Sequence, residues 1–507
     1  MSKFNNTTTA GRKPDSVNMA GGVSYSRDNI KQEIATVVLN SMINGDSYYE
    51  KETDRLARVE ALISNSDVSE FVAKAMIYTR NEGNLRSISH YMAGILAENV
   101  KGSSYLRSAI TKTLVRPDDM TEILSLWNSR NKGKMLPNSV RRAFKDALET
   151  KFDAYQMKKY AGERSEVKLR DVVKLTHPSP KRFEDQEIFK KVIEGTLENI
   201  ATAQTVNAGS TGEARAQNYK EMLANRKLGY MAALKNMKNI IEAGADSETI
   251  DMLCSLLRNE KACLNSRVLP FRFTQAYSMV EKIDMDRIDN KKLLQAIEDG
   301  FIISARNVPI VEQGERVALL LDESGSMGGF YGSESDMTST QPFMIGKTLM
   351  ASMLCGLDKA NTVGYLWADR AREISVDEKP MSFIKNTNTQ GGGTDVWAAI
   401  KGLIDSKTVV DKLVIFTDMQ MYDIGRGWGS NRKEFKDMVK EYRKINPKVK
   451  VLFWNLQGYN GGTPMKLDHD ILEVAGFSDK MLDVVAKMFK YSDKDALVKE
   501  IEAIKLW

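Results

Sequence analysis

From about residue 28 to residue 300, apolar positions recur at intervals of three and four, the spacing that lays one stripe of a helix against a core. The stretches 30–43, 53–63, 68–81, 87–98 and 138–148 carry that pattern and predict helices. The joints between segments hold chain breakers: Asn44-Gly45-Asp46, Glu82-Gly83-Asn84, Pro117-Asp118-Asp119 and Pro178-Ser179-Pro180. No alternating strand pattern interrupts the series. A long run of short amphipathic helices predicts an α-solenoid, because each helix pair buries its apolar faces only by stacking on the next. No clean sequence repeat accompanies it, so the architecture follows from helix density. Residues 201–212 are small and polar and predict a loop.

The pattern changes near Arg306. Short apolar runs at 316–321, 362–367, 412–416 and 449–454 are separated by helical patterns such as 347–359, 396–406 and 431–445. Strands that are apolar throughout are buried on both faces, and their alternation with helices predicts a doubly wound parallel sheet. The expected division is a disordered tail over 1–27, a helical domain over 28–306 and an α/β domain over 307–507.

Composition narrows the classes. With 42% hydrophobic and 28% charged residues, the 507-residue chain has the balance of a soluble globular protein. Three cysteines without CxxC spacing or neighbouring histidines argue against a zinc site or a disulfide framework, and suit a reducing, cytoplasmic setting. The N-terminal residues lack the apolar run of a signal peptide, and no stretch is long and apolar enough to span a membrane. The net charge of +6 is mild, but residues 141–240 hold about 20 Lys and Arg against about 13 Asp and Glu, which points to a basic face.

The chemistry concentrates after the first and third apolar runs. Asp322-Glu323-Ser324-Gly325-Ser326 sets a carboxylate and two hydroxyls at alternate positions of a turn. Such hard oxygen donors suit Mg²⁺, which keeps several waters and uses one or two carboxylates. Gly391-Gly392-Gly393-Thr394 adds a hydroxyl on a close-approaching loop, and Asp418 adds a carboxylate after Phe416-Thr417. Both aspartates follow predicted strands, where ligands bind in α/β sheets. Together these residues resemble the metal-ion-dependent adhesion site of von Willebrand factor A-type domains, a DxSxS turn followed by a distant Thr and a distant Asp. That resemblance implies one Mg²⁺ or other divalent cation held by Asp322, Ser324, Ser326, Thr394 and Asp418. The polar insert at 328–341, with Glu334 and Asp336, is placed to cover it.

A wider resemblance covers roughly residues 28–507. Ser139-Val-Arg-Arg-Ala-Phe-Lys145, Leu169-Arg-Asp-Val-Val-Lys-Leu-Thr-His177, Met231-Ala-Ala-Leu-Lys-Asn-Met237 and Val268-Leu-Pro-Phe-Arg272 resemble the Ro ribonucleoprotein autoantigen, or TROVE-domain, family. So do Gly392-Gly-Thr-Asp395, Ile415-Phe-Thr-Asp418, Glu441-Tyr-Arg-Lys444, Ala475-Gly-Phe477 and Leu482-Asp-Val-Val485. The resemblance implies HEAT-like helical repeats closed into a ring, followed by a von Willebrand factor A-type domain. It also implies an RNA-binding role without catalysis: single-stranded RNA ends through the hole, and small structured Y-RNA-like non-coding RNA on the basic outer surface. RNA quality control, or a ribonucleoprotein scaffold with an exoribonuclease or other protein at the metal site, would follow. Carried over by position, His177, Arg164 and Lys159 match RNA-contacting residues of the family. Arg141, Arg142, Lys145, Lys168, Arg170 and Lys174 lie in the same basic segments. Cationic side chains neutralise phosphates, and an imidazole can stack on a base. The alternative is a protein-interaction scaffold that uses the metal site without RNA.

Two enzyme readings fail on the residues. Gly346-Lys347-Thr348 lacks the first glycine of a phosphate-binding loop, since position 341 is Gln341, and no buried strand precedes it. Three scattered histidines and the absence of GxSxG or HExxH leave no hydrolytic apparatus, and no general base stands beside the expected metal.

Overall fold

The computed structural model describes residues 14–507 apart from 41–46, 161–165, 182, 198–210, 269, 306–311, 313, 329–336, 338, 340, 390, 422–434 and 477–479. The predicted loop at 201–212, most of the 328–341 insert and Arg164 therefore lie largely or wholly outside the described residues.

The helical region forms as its stripes require. Helices Glu52–Ile63, Ser69–Asn81, Arg86–Asn99 and Asn138–Thr150 stand where the periodicity places them. Helix Ser69–Asn81 packs on both Arg86–Asn99 and Leu106–Thr113, Arg86–Asn99 packs on Pro117–Arg130, and Leu106–Thr113 packs on Asn138–Thr150. Each helix thus touches its partner and the equivalent helix of the next pair, which is how a two-layer stack buries a continuous core. Farther along, Ser247–Leu257 and Pro270–Glu281 both pack on the long helix Arg287–Ala305.

The C-terminal part is a six-stranded sheet. Its strands are β3 (Val317–Asp322), β4 (Thr362–Trp367), β5 (Ala371–Ile374), β6 (Lys412–Thr417), β7 (Lys450–Asn455) and β8 (Ile471–Ala475), in the order β5-β4-β3-β6-β7-β8. All neighbours are parallel except β4 and β5. Leu319 and Leu321 of β3 join one apolar core, while Ala318 and Leu320 join a second on the opposite face. Covered faces on both sides explain why these strands read as unbroken apolar runs.

Several expectations need correction. The antiparallel edge strand β5 went unpredicted because its four residues are short and half-exposed. Strand β8 carries the polar Glu473, which is neutralised by Arg27 from the far end of the chain, at 2.6 Å. The helix expected to begin at Lys347 begins at Pro342 instead. It is buried on every side between the sheet and helices Pro270–Glu281 and Arg287–Ala305, so it has no polar face to mark its start. Lys347 lies inside it, donating to the carbonyls of Ile384 and Thr387 at 2.8 and 3.0 Å.

Residues 14–27, expected within a disordered tail, are ordered. Strands β1 (Ser16–Val17) and β2 (Val23–Ser24) pair antiparallel, and Tyr25 bridges to Thr463. The Asn18 amide donates to the carbonyl of Met421 at 2.6 Å and accepts from Gly22 N at 2.7 Å. Helix Ile30–Asn40 packs on β8 and on helix Ala496–Glu502, and one apolar core runs from the helical region into one face of the sheet. Both ends of the helical region therefore seat on the sheet domain, and the boundary near residue 306 marks a change of architecture within shared packing. Asn18→Ala should destabilise this seam by about 1–3 kcal/mol, the cost of stranding buried partners. Urea unfolding of the full chain would check it, and an unchanged midpoint would mean the hairpin is only loosely attached. Among the described residues, no helix is long and apolar enough to cross a membrane.

Candidate cation site and basic clusters

Chain order reverses across the sheet between β3 and β6, the two central strands, and a crevice opens at the carboxyl ends of strands at such a switch point. Asp322 closes β3 and Asp418 directly follows β6, so the topology brings together two carboxylates distant in sequence. Both are fully buried, as are Ser324, Ser326 and Thr394. Asp322 accepts from Ser324 N at 2.9 Å and from the Thr417 hydroxyl at 2.7 Å. The Ser324 and Ser326 hydroxyls lie 3.2 Å apart. The glycine loop is tied to the turn through Gly325 N and the Gly392 carbonyl, 3.1 Å apart. Gly392 has φ +109°, and a Cβ there would meet Asp369 Oδ2 at 2.4 Å, so this position demands glycine. Glu323, inside the motif, turns instead to Arg372 at 2.9 Å.

Burial, then the neighbouring Asp418 charge, pushes the Asp322 carboxyl up to about 7. Burial likewise pushes Asp418 up to about 6, opposed by the Ser326 hydroxyl and the Gln420 N–H. Asp418 Oδ2 is buried without a hydrogen-bond partner among the described residues. Two buried carboxylates in one crevice, one with an orphaned oxygen, form an arrangement that a bound cation would complete. The donors gathered in this crevice are carboxylate and hydroxyl oxygens, the set of a hard cation and not of a softer transition metal. Thr417, which orients Asp322, was missed in the sequence because its hydroxyl is a partner only once β3 and β6 pair.

The predicted basic residues fall on two adjoining helices and a neighbouring short one. Arg141, Arg142 and Lys145 ride on Asn138–Thr150, and Arg170 and Lys174 on Leu169–Thr176, which packs against it. Lys168 opens the latter helix, its N–H donating to Asp171 at 2.8 Å. His177 ends it in the left-handed region, at φ 45°, and is exposed. Lys159, on Ala154–Tyr160, lies 5.7 and 5.4 Å from the ring centres of Tyr155 and Tyr160.

A second basic group was not predicted. The Arg116 guanidinium sits 4.7 Å from the ring centre of Tyr160, and Lys235 and Arg272 approach from the later helices of the region. Burial, then the charges of Arg272 and Arg116, holds the Lys235 ammonium below the usual lysine range. The only sequence signal was that Lys235 and Arg272 fall within two of the family-like stretches.

The family model described as TROVE domain matches residues 17–218 and 208–319. Among curated proteins, telomerase protein component 1 of Rattus norvegicus is 21% identical over 295 residues, covering 42% of this chain and 11% of that protein. The Mus musculus protein of the same name is 22% identical over the same shares. The chain thus spans only about a tenth of these relatives' length. Among solved structures, the crystal structure of Deinococcus radiodurans RO (RSR) protein superposes with a TM-score of 0.60 at 16% identity, covering 90% of this chain and 99% of that one, a likeness of fold.

Proposed function

This chain belongs to the TROVE domain family of RNA-binding ribonucleoprotein components, and from that membership we propose that its helical region binds single-stranded RNA ends and small structured non-coding RNA. The observation that carries the reading is the convergence of Arg116, Lys235 and Arg272 from separate parts of the helical stack, beside Lys159 and two tyrosine rings. Asp118 pairs with Arg116, yet the charges of Arg272 and Arg116 still bear on Lys235, so gathering these cations carries an electrostatic cost. Phosphates between the cations and bases against the rings would relieve that cost. A neutral polypeptide would not, which weighs against a scaffold without RNA. In this reading the helical arc forms a ring whose hole takes the single strand, and the Arg141–His177 face takes structured RNA. His177 stacks on a base there, with Arg164 and Lys159 as further phosphate contacts. The protein acts as a binder in RNA quality control or as a ribonucleoprotein scaffold, without catalysis of its own.

The crevice at β3 and β6 is the proposed seat of one Mg²⁺ in a von Willebrand factor A-type domain, held by Asp322, Ser324, Ser326, Thr394 and Asp418. The orphaned Asp418 oxygen and the hydroxyl-rich donor set fit a hard divalent cation. The bound ion would offer open positions to an acidic group of a partner such as an exoribonuclease.

The test is equilibrium binding of a single-stranded oligonucleotide to the full chain across a salt series, since the shared core argues against isolating the helical region. With about four to six phosphates neutralised, log K should fall with log salt at a slope of about −3 to −4. Lys235→Gln should weaken binding and make the slope shallower by about 0.7, one phosphate contact. His177→Ser should lower affinity for structured RNA with little change of slope. Absence of binding at low salt would refute the RNA reading.

A further inference from the structure

We propose that the groove between residues 178–180 and helix Phe183–Glu194 seats one unpaired nucleobase of RNA; this rests on the RNA-binding reading and adds a second, base-selective point of contact to it. The groove is open, with a volume of about 280 Å³, and is walled by Pro178, Pro180, Phe189 and Ile193. Its making is local. Helix Leu169–Thr176 stops abruptly because His177 adopts the left-handed conformation, its N–H still bonded to the Val173 carbonyl at 3.0 Å. Two prolines then hold the chain extended, and Ser179 N is pinned by Glu149 at 2.6 Å. The wall stands opposite helix Phe183–Glu194, which packs on Leu169–Thr176.

The chemistry of the lining selects the occupant. Ile193 is 42% exposed, an apolar side chain left facing the slot. Lys190 lies on its rim, and Lys181, exposed and 3.5 Å from Glu149, directly follows Pro180 of the wall. An apolar slot with ammonium groups about its edge complements a flat uncharged ring joined to a phosphate, which is a nucleotide. Gln186 and Glu194 also line the slot. A carboxylate there opposes a phosphate but accepts a hydrogen bond from an exocyclic amine, so the seat favours adenine or cytosine over uracil.

The experiment titrates the full-length protein with fluorescent oligoadenylate and oligouridylate of equal length, and maps ultraviolet crosslinks by peptide mass spectrometry. Wild type should prefer oligoadenylate and place adducts at Phe189 or within the peptide following Lys191. Ile193→Asp, at an exposed position, should lower oligoadenylate affinity about tenfold, within the range of one lost stacked base, with little change of salt slope. Ile193→Leu should retain affinity, and Glu194→Gln should narrow the preference for adenine. If wild type binds but Ile193→Asp binds equally well and adducts map elsewhere, the groove assignment is overturned while the RNA reading stands. If neither oligonucleotide binds at low salt, the RNA reading falls and takes this proposal with it. Capture of an acidic, aromatic peptide that Ile193→Asp abolishes, with no oligonucleotide adduct, would give the groove to polypeptide and overturn the proposal.

Discussion

Asp119→Ala should destabilise the first half of the helical stack by about 3–5 kcal/mol, the cost of removing one partner from a buried charge network. Asp119 is fully buried where three helices meet. Its carboxylate accepts from Arg80 at 3.0 Å, Arg86 at 2.8 Å and the N–H groups of Val115 and Arg116 at 2.8 and 2.9 Å, with His90 Nε2 3.4 Å away. Burial works to raise its pKa, but the bonds and charges of His90 and Arg80 and the Arg116 N–H outweigh it, holding the carboxyl well below the usual range. Alanine would leave the buried Arg80 guanidinium facing a void where its carboxylate stood, while Arg86 would keep Asp118 at 2.9 Å and Glu122 at 3.1 Å. The change should also reach function, because the Asp119 carboxylate fixes the backbone of Arg116, one of the three converging cations. Hydrogen exchange should show early opening of helices Ser69–Asn81, Arg86–Asn99 and Pro117–Arg130. Loss of RNA affinity should accompany it. Wild-type protection in the mutant would mean the network contributes nothing net.

The second large effect is linked to pH. In cation-free protein the Asp322 and Asp418 carboxyls titrate at about 7 and about 6, above the unfolded value near 3.9. The folded state therefore binds more protons than the unfolded state across that interval, and stability contributed by these groups falls as pH rises from about 4 to about 7. A divalent cation requires both carboxylates ionised and reverses the loss, so its benefit grows over the same window. At pH 8, Mg²⁺ at a hundred times its dissociation constant should stabilise the fold by about 2.7 kcal/mol, and at pH 5 by much less. Asp418→Asn removes the orphaned charge, so without cation the mutant should melt higher than wild type at pH 8, and Mg²⁺ should no longer shift it. Calorimetry with chelator or Mg²⁺ at both pH values decides this. A pH-independent Mg²⁺ effect that survives in Asp418→Asn would place the cation elsewhere.

The residues show why part of this molecule could be read along the chain. Helices with one buried face write their period into the sequence, so 53–63 and 138–148 were found within a few residues of Glu52–Ile63 and Asn138–Thr150. Strands buried on both faces write unbroken apolar runs, and the β4 expectation coincides with Thr362–Trp367. Three members of the oxygen set were legible because they keep a fixed local order, Asp-x-Ser-x-Ser, and Asp418 because it follows a strand, where ligands bind in such sheets.

Tertiary structure decided what depends on partners far apart in sequence. Strand β8 stands with a buried Glu473 because Arg27 neutralises it, 446 residues away. Helix Pro342–Gly356 has no polar face because other elements cover it all round, which erases the periodicity that would locate it. Residues 14–27 look like tail because their order comes from hydrogen bonds to 419–421 and 463, and local propensity carries no trace of those. Arg116, Lys235 and Arg272 are unremarkable singly, and their charges bear on one another only once the helices that carry them pack. By itself the sequence determined which faces must be buried and which carboxylates follow the central strands. Folding alone determined which charges meet, because electrostatic energy depends on distance in space and the chain records only distance along itself.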